Sequence, residues 1–253
     1  MRRFFIEEIK QTADGICAVT GSEARHILKV LRMGRGDGFI LMDRTGNRYE
    51  ANIESVKGTA VIVKLIEKLQ APASPGLEIT LCQALLKSGP MDYLIEKTSE
   101  LGVKRILPFT SERTVVKIDG NGNANKVRRW MDIAVSAAKQ SDRCVPADVS
   151  PPVSFPDILK QCRDADCLKV ILWEREDSMD LKELMRSSAS SPYFIGMVGP
   201  EGGLSHGEVS AARKAGFIPV SLGRRILRAE TAAITLLAIV QYERGDLSLK
   251  GYL

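Results

Sequence analysis

From residue 77 onward, short apolar runs alternate with amphipathic segments, and this alternation restricts the fold more than any other feature of the chain. Leu77–Leu86, Lys104–Phe109, Leu168–Trp173, Tyr193–Val198 and Phe217–Leu222 read as strands. Met91–Leu101, Lys126–Gln140, Leu181–Met185, Ser205–Ala215 and Ala229–Tyr242 read as helices. In Lys126–Gln140 the apolar residues Val127, Trp130, Ile133, Ala134 and Ala137 recur at helical spacing. Strands separated by helices specify crossover connections, hence an α/β domain with a mainly parallel sheet. Ligands of such sheets sit beyond the carboxyl ends of the strands.

The first 70 residues follow a different pattern. Gly38–Asp43, Arg48–Val56 and Ala60–Ile66 are short, apolar and β-branched, and Asp43–Asn47 joins two of them like a hairpin turn. One helix interrupts the strands. Ser22 is its candidate N-cap, and Ala24, Ile27, Leu28 and Leu31 lie at helical spacing. The residues Gln70-Ala71-Pro72-Ala73-Ser74-Pro75-Gly76 then break both patterns. This divides the chain into a small β-barrel over 1–70, a linker over 71–76 and an α/β domain over 77–253.

Composition narrows the function classes. The chain has 253 residues, 44% hydrophobic and 26% charged, with a net charge of +5. That is ordinary for a globular protein with a sizeable core, and its mild positive balance permits nucleic-acid binding without requiring it. Five cysteines without a CxxC pair, and only two histidines, give no metal site and no disulfide framework. Charges near the start occupy positions where a secretory signal needs an apolar run, so a cytoplasmic location is expected.

Two loops carry the chemistry. Val198-Gly199-Pro200-Glu201-Gly202-Gly203-Leu204-Ser205 follows a strand and enters a helix. Its glycines let backbone approach a ligand closely, and Ser205 with Glu208 forms a capping-box pattern. It is neither a Walker A nor a GxGxxG sequence. Ser221-Leu222-Gly223-Arg224-Arg225-Ile226-Leu227-Arg228-Ala229-Glu230-Thr231 again runs from strand to helix, with three arginines in five positions. Two glycine-bearing loops at successive strand ends can wall one pocket. Asp92, Glu96 and Glu100 share a helical face, which suits either acid–base chemistry or a solvated surface. Phe4 and Phe5 are candidates either for stacking on a base or for the barrel core.

GPEGG followed by LGRRILRAETA resembles the C-terminal signature of the RsmE family of SPOUT methyltransferases. The start Arg2-Arg3-Phe4-Phe5, the segment His26–Arg32 with Gly36-Asp37, Met91-Asp92 through Val103, and Gln140-Ser141-Asp142-Arg143 resemble its other motifs, in order along nearly the whole chain. Asp142 departs from the pattern, which has a small residue there, often glycine. The resemblance implies a PUA-like N-terminal barrel and a C-terminal α/β domain with a trefoil knot. It further implies a homodimer that binds S-adenosylmethionine and methylates N3 of a uridine in 16S ribosomal RNA of the small subunit, with the assembled subunit as its partner.

The same resemblance implies that Leu172, Trp173, Gly199, Pro200, Gly202, Gly203, Leu222, Gly223, Ile226, Leu227 and Thr231 line the cofactor pocket. Arg228 is the first candidate for a catalytic role, as a donor to a developing uracil anion, with a phosphate or interface contact as the alternative. Glu201 is the candidate base, or else a carboxylate that stabilises a helix N-terminus. RNA contact falls to Arg2, Arg3, Arg25, His26, Lys29, Arg32 and Arg143, with Arg25, Lys29 and Arg32 on one helical face. A SPOUT enzyme acting on another RNA base, and a non-catalytic ribosome-assembly protein, are the competing readings.

Overall fold

A computed structural model describes residues 1–70, 76–116, 120–163, 166–188 and 191–247. The chain forms two compact units, Met1–Ser74 with Ala138–Pro146, and Pro75–Ala137 with Ala147–Leu253. The division therefore differs from a simple cut at residues 71–76, because nine residues from the middle of the chain pack with the N-terminal unit.

The N-terminal unit contains five strands where the sequence predicted three. They are β1 (Arg3–Ile6), β2 (Ile16–Val19), β3 (Gly38–Asp43), β4 (Arg48–Lys57) and β5 (Ala60–Lys68), in the order β1-β3-β4-β5-β2. β1 lies parallel to β3, and the remaining pairs are antiparallel. Phe4, Ile27, Phe39, Leu41, Val61 and Val63 fill the core, each 1% exposed or less. Phe4 stacks edge-on against Phe39 at 4.8 Å, and Phe5 is also buried. Both aromatics are thus core residues and are not available to stack on a base.

The short helix α1 (Gly21–Arg25) runs into a wider turn, His26–Val30, whose backbone closes from Leu31 N–H to the His26 carbonyl at 3.0 Å. Two sequence expectations change here. Gly21, at φ 68°, starts the helix early, so Thr20 is the N-cap residue and Ser22 falls within the first turn. Arg32 sits at φ 52°, beyond the wide turn, so the α-helical spacing that placed it with Arg25 and Lys29 does not apply. Arg25, His26, Lys29 and Arg32 are all exposed.

In the second unit the chain forms β6 (Glu78–Ala84), α2 (Ser88–Glu100), β7 (Arg105–Thr110) and α3 (Gly120–Ser141). Two short strands and a helix follow, β8 (Asp148–Val149), β9 (Val153–Ser154) and α4 (Phe155–Cys162), none of which the sequence periodicity marked. Then come β10 (Leu168–Leu172), α5 (Leu181–Ser187), β11 (Tyr193–Val198), α6 (His206–Lys214), β12 (Ile218–Val220) and α7 (Ala229–Arg244). The sheet order is β12-β10-β11-β6-β7-β8, with β9 also on β7, and every pair is parallel. Both faces are covered, as a parallel sheet requires. Leu94, Trp130, Leu236 and Leu237 pack on one face, and Phe109, Ile158, Met197 and Val209 pack on the other.

After the edge strand β12, α7 returns to pack on α2, β6 and β11. Leu236 and Leu237 are fully buried, and burial of each stabilises by about 1.5–3 kcal/mol. The close approach to β11 depends on Gly196, where an added Cβ would lie 2.6 Å from Leu236 Cδ2. Gln241, also fully buried, donates from Nε2 to the Leu101 carbonyl at 2.9 Å and accepts from Asp246 N–H at 3.2 Å.

α3 ends in the N-terminal unit with a Schellman-type closure. Arg143 N–H donates to the Ala138 carbonyl at 3.0 Å, and Asp142 takes the left-handed position at φ 60°. Glycines occupy the same position after α2 and α6. An aspartate there costs about 1–2 kcal/mol of backbone strain. The offset comes from Arg3 Nε and Arg48 Nη2, each 2.8 Å from the same oxygen, Asp142 Oδ1.

Gly196→Ala should lower stability by about 1–3 kcal/mol through overpacking against Leu236, read as a reduced urea midpoint with an unchanged slope.

Candidate active site at the strand ends

A cavity of about 620 Å³ opens at the carboxyl ends of β10, β11 and β12. Three loops wall it, and each is fixed by a different local device.

The first loop continues from β11. Gly203 at φ 68° turns the chain, and Ser205 then caps α6. Ser205 Oγ accepts from Glu208 N–H at 3.3 Å, and Glu208 Oε2 accepts from Ser205 N–H at 2.9 Å, which is the capping box predicted from sequence. The other oxygen of Glu208 accepts from Glu112 N–H at 2.8 Å. Three further contacts hold the loop backbone. Gln83 Nε2 donates to the Gly199 carbonyl at 3.3 Å, Arg113 Nη1 donates to the Gly202 carbonyl at 3.0 Å, and Lys87 N–H donates to Glu201 Oε1 at 3.4 Å.

The second loop follows β12. Ser221 Oγ accepts from Gly223 N–H at 3.1 Å, and Gly223 lies at φ 105°, a conformation that disfavours any side chain. Arg224, Arg225 and Arg228 line the cavity and are exposed, and none has an ion-pair partner among the described residues. Ile226 is 88% exposed. Arg228 precedes α7 as its N-cap residue, at φ −63° and ψ 151°, but its side chain makes no capping bond.

The third wall is Leu172, Trp173 and Glu174. Trp173 N–H donates to the Val220 carbonyl at 3.1 Å, and its indole stands edge-on to His206 at 5.0 Å. His206 Nε2 lies 2.9 Å from Arg175 Nη1. Glu176, 8% exposed, anchors the loop after this wall. Its carboxylate accepts from the Ser178 hydroxyl and N–H and from Arg213 Nη2 at 2.8 Å. The Ser178 hydroxyl above all, with the Ser178 N–H and the Arg213 charge, holds its pKa below the ordinary value.

Among the residues the resemblance implied, Leu172, Trp173, Gly199, Pro200, Gly202, Gly203, Leu222, Gly223, Ile226, Leu227, Glu201 and Arg228 all border this one cavity. Thr231 does not. It is exposed on the first turn of α7, where the helical rotation turns it away from the lining residues Ala229 and Ala232. Gln83, Arg113, Glu174 and Glu176 are structural participants that the motifs did not single out. Gln83 leaves one trace, a polar side chain within the otherwise apolar run Leu81–Leu86. The acidic face of α2 is structural. Asp92 accepts from Arg129 at 2.7 Å, while Glu96 and Glu100 share Lys97 at 2.7 and 2.9 Å. Among the proposed RNA contacts, Arg3 is engaged with Asp142.

Residues 73–241 match the family model described as RNA methyltransferase domain, and residues 19–66 match the RNA methyltransferase PUA domain. The fold and the cavity therefore lie in an RNA methyltransferase domain that follows a PUA domain. The ribosomal RNA small subunit methyltransferase E of Bacillus subtilis is 31% identical over 97% of this chain and 100% of its own length. That of Synechocystis is 32% identical over 90% of this chain and 74% of its own. A Neisseria gonorrhoeae ribosomal RNA small subunit methyltransferase E solved with S-adenosylmethionine superposes at a TM-score of 0.89, with 31% identity over 98% of this chain and 100% of that one. A Legionella pneumophila structure described as a methyltransferase with bound cofactor gives 0.87, with 33% identity over 96% and 98%. The chain belongs to the ribosomal RNA small subunit methyltransferase E family.

The depressed Glu176 pKa contributes stability that is present above about pH 4.5 and is lost as pH falls through the lower folded value. Glu176→Gln should remove that part of the acid destabilisation, so the difference in melting temperature between variant and parent should shrink from pH 7 to pH 3.

Proposed function

We propose that this protein transfers a methyl group from S-adenosylmethionine to N3 of a specific uridine in 16S ribosomal RNA of the small subunit. The reading rests on one coincidence. The two glycine-bearing loops meet in one cavity at the strand ends of a domain whose family relatives include structures holding S-adenosylmethionine.

The cavity suits that cofactor. Its volume of about 620 Å³ falls within the usual range of small-molecule sites. Space lies open where a Cβ would project from Gly223. The buried indole Nε1 of Trp173 has no hydrogen-bond partner among the described residues, and a ligand acceptor would satisfy it. Leu172, Trp173, Gly199, Pro200, Gly202, Gly203, Leu222, Gly223, Ile226 and Leu227 would hold the cofactor. When bound, it supplies a methyl group on a positively charged sulfur, open to in-line attack.

Uridine N3 is a poor nucleophile until its proton leaves. Arg228 borders the cavity without an ion-pair partner among the described residues, and its fork of donors suits the oxygens of a uracil anion. Glu201 is the carboxylate of the first loop and takes the proton. Arg113 and Gln83 keep the Gly199–Gly203 backbone in place, so alignment costs little at the moment of transfer.

Arg2, Arg25, His26, Lys29, Arg32 and Arg143 supply the RNA contacts, with the assembled small subunit as substrate, in the cytoplasm. A homodimer is part of the same reading, carried over from the family resemblance. The passage of α7 from beyond β12 to the centre of the sheet supports a trefoil knot.

Purified protein, labelled S-adenosylmethionine and unmodified small subunits should yield 3-methyluridine at one position, read by nucleoside mass spectrometry. Arg228→Ala should reduce kcat by about 10²-fold or more and leave cofactor affinity nearly unchanged. Full turnover in that variant would remove Arg228 from the chemistry.

A further inference from the structure

We infer that Asp142 is a positioning residue for RNA binding, which acts by fixing Arg143 through Arg3 and Arg48; this rests on the reading of the chain as a ribosomal RNA methyltransferase. The argument begins with geometry inside the N-terminal unit. Arg3 Nε and Arg48 Nη2 converge on a single carboxylate oxygen of Asp142, each at 2.8 Å. Two guanidiniums this close repel one another unless an anion lies between them. Arg48 also reaches past Arg143, placing Nη1 3.5 Å from Cys144 Sγ. One side chain therefore grips the residues on both sides of Arg143. The backbone of Arg143 is closed onto Ala138 at 3.0 Å, so little of the turn can move while the grip holds.

Exposure separates this role from direct contact with RNA. The Arg48 side chain is 7% exposed and Arg3 is 27% exposed, whereas a phosphate contact needs a guanidinium that reaches solvent. The charge of Arg48 is spent within the protein. The Asp142 side chain, at 44% exposure, has room to leave the turn but is held by both arginines. Asp142 also occupies a left-handed position, at φ 60°, that glycine fills after two other helices of this chain. The strain is accepted where the carboxylate has a task.

The test uses the full chain at saturating S-adenosylmethionine, with initial rates followed against small-subunit concentration and RNA affinity followed against salt. Asp142→Asn keeps a residue that tolerates the left-handed region but removes the charge. It should raise KM for the subunit about tenfold, leave kcat and cofactor affinity unchanged, and reduce the salt slope of RNA binding by about one. Asp142→Gly, with full backbone freedom, should show the same defect where the asparagine variant melts early. Arg143→Ala should match it, and the double variant Asp142→Asn/Arg143→Ala should be no worse than either single change.

Additive losses would mean that Asp142 does not act through Arg143. A parental KM in both folded Asp142 variants would overturn the assignment, as would tighter RNA binding with a steeper salt slope, the sign of a carboxylate that masks the arginines. Failure of the parent itself to methylate would count against the functional reading alone, since RNA affinity and its salt slope still report on Asp142.

Discussion

The hydrogen atom that stands in place of a side chain at Gly196 decides where the last helix can lie. Leu236 fills the space that it leaves, and α7 settles against the central strands instead of staying at the edge beside β12. Gln241 secures the far end of the helix to the Leu101 carbonyl. Because the second glycine loop runs directly into α7, its position is an extension of core packing. Arg228 is presented at the cavity by a helix whose buried leucines face the sheet.

The cavity is walled largely by backbone and by apolar side chains, and its order comes from residues that stand behind it. Gln83 and Arg113 each bind a carbonyl of the first loop, and Glu208 uses one oxygen for its own helix cap and the other for Glu112 N–H. Glu176 does the same for the chain beyond Trp173. Glycine loops without such supports would lose much of their conformational entropy only on binding, and affinity would fall accordingly. Side chains anchored elsewhere in the domain have already restricted them.

The sequence made the parallel sheet legible because its core strands are nearly continuous apolar runs, and β11 matches its expected bounds residue for residue. Ser205 and Glu208 announced the capping box through spacing alone. β1 and β2, at four residues each, and the two-residue β8 and β9 are too short for periodicity to register. The phase of Arg32 was lost because the wide turn at His26–Val30 abandons the α-helical period. At the site, the glycines and arginines of the two loops stood out by composition. Gln83 and Arg113 act across long sequence separations, as does Glu176 through Arg213, and no local pattern reports such a partnership. Thr231 belonged to the right motif but points away from the cavity, since a motif marks a segment and helical rotation selects within it.

The left-handed aspartate after α3 ties three distant positions into one charge cluster. Loss of the carboxylate alone leaves Arg3 and Arg48 facing each other, and loss of either arginine leaves a strained residue with less to hold it. The fold thus brings one carboxylate and two guanidiniums together, although 45 and 94 residues separate positions 3, 48 and 142 along the chain.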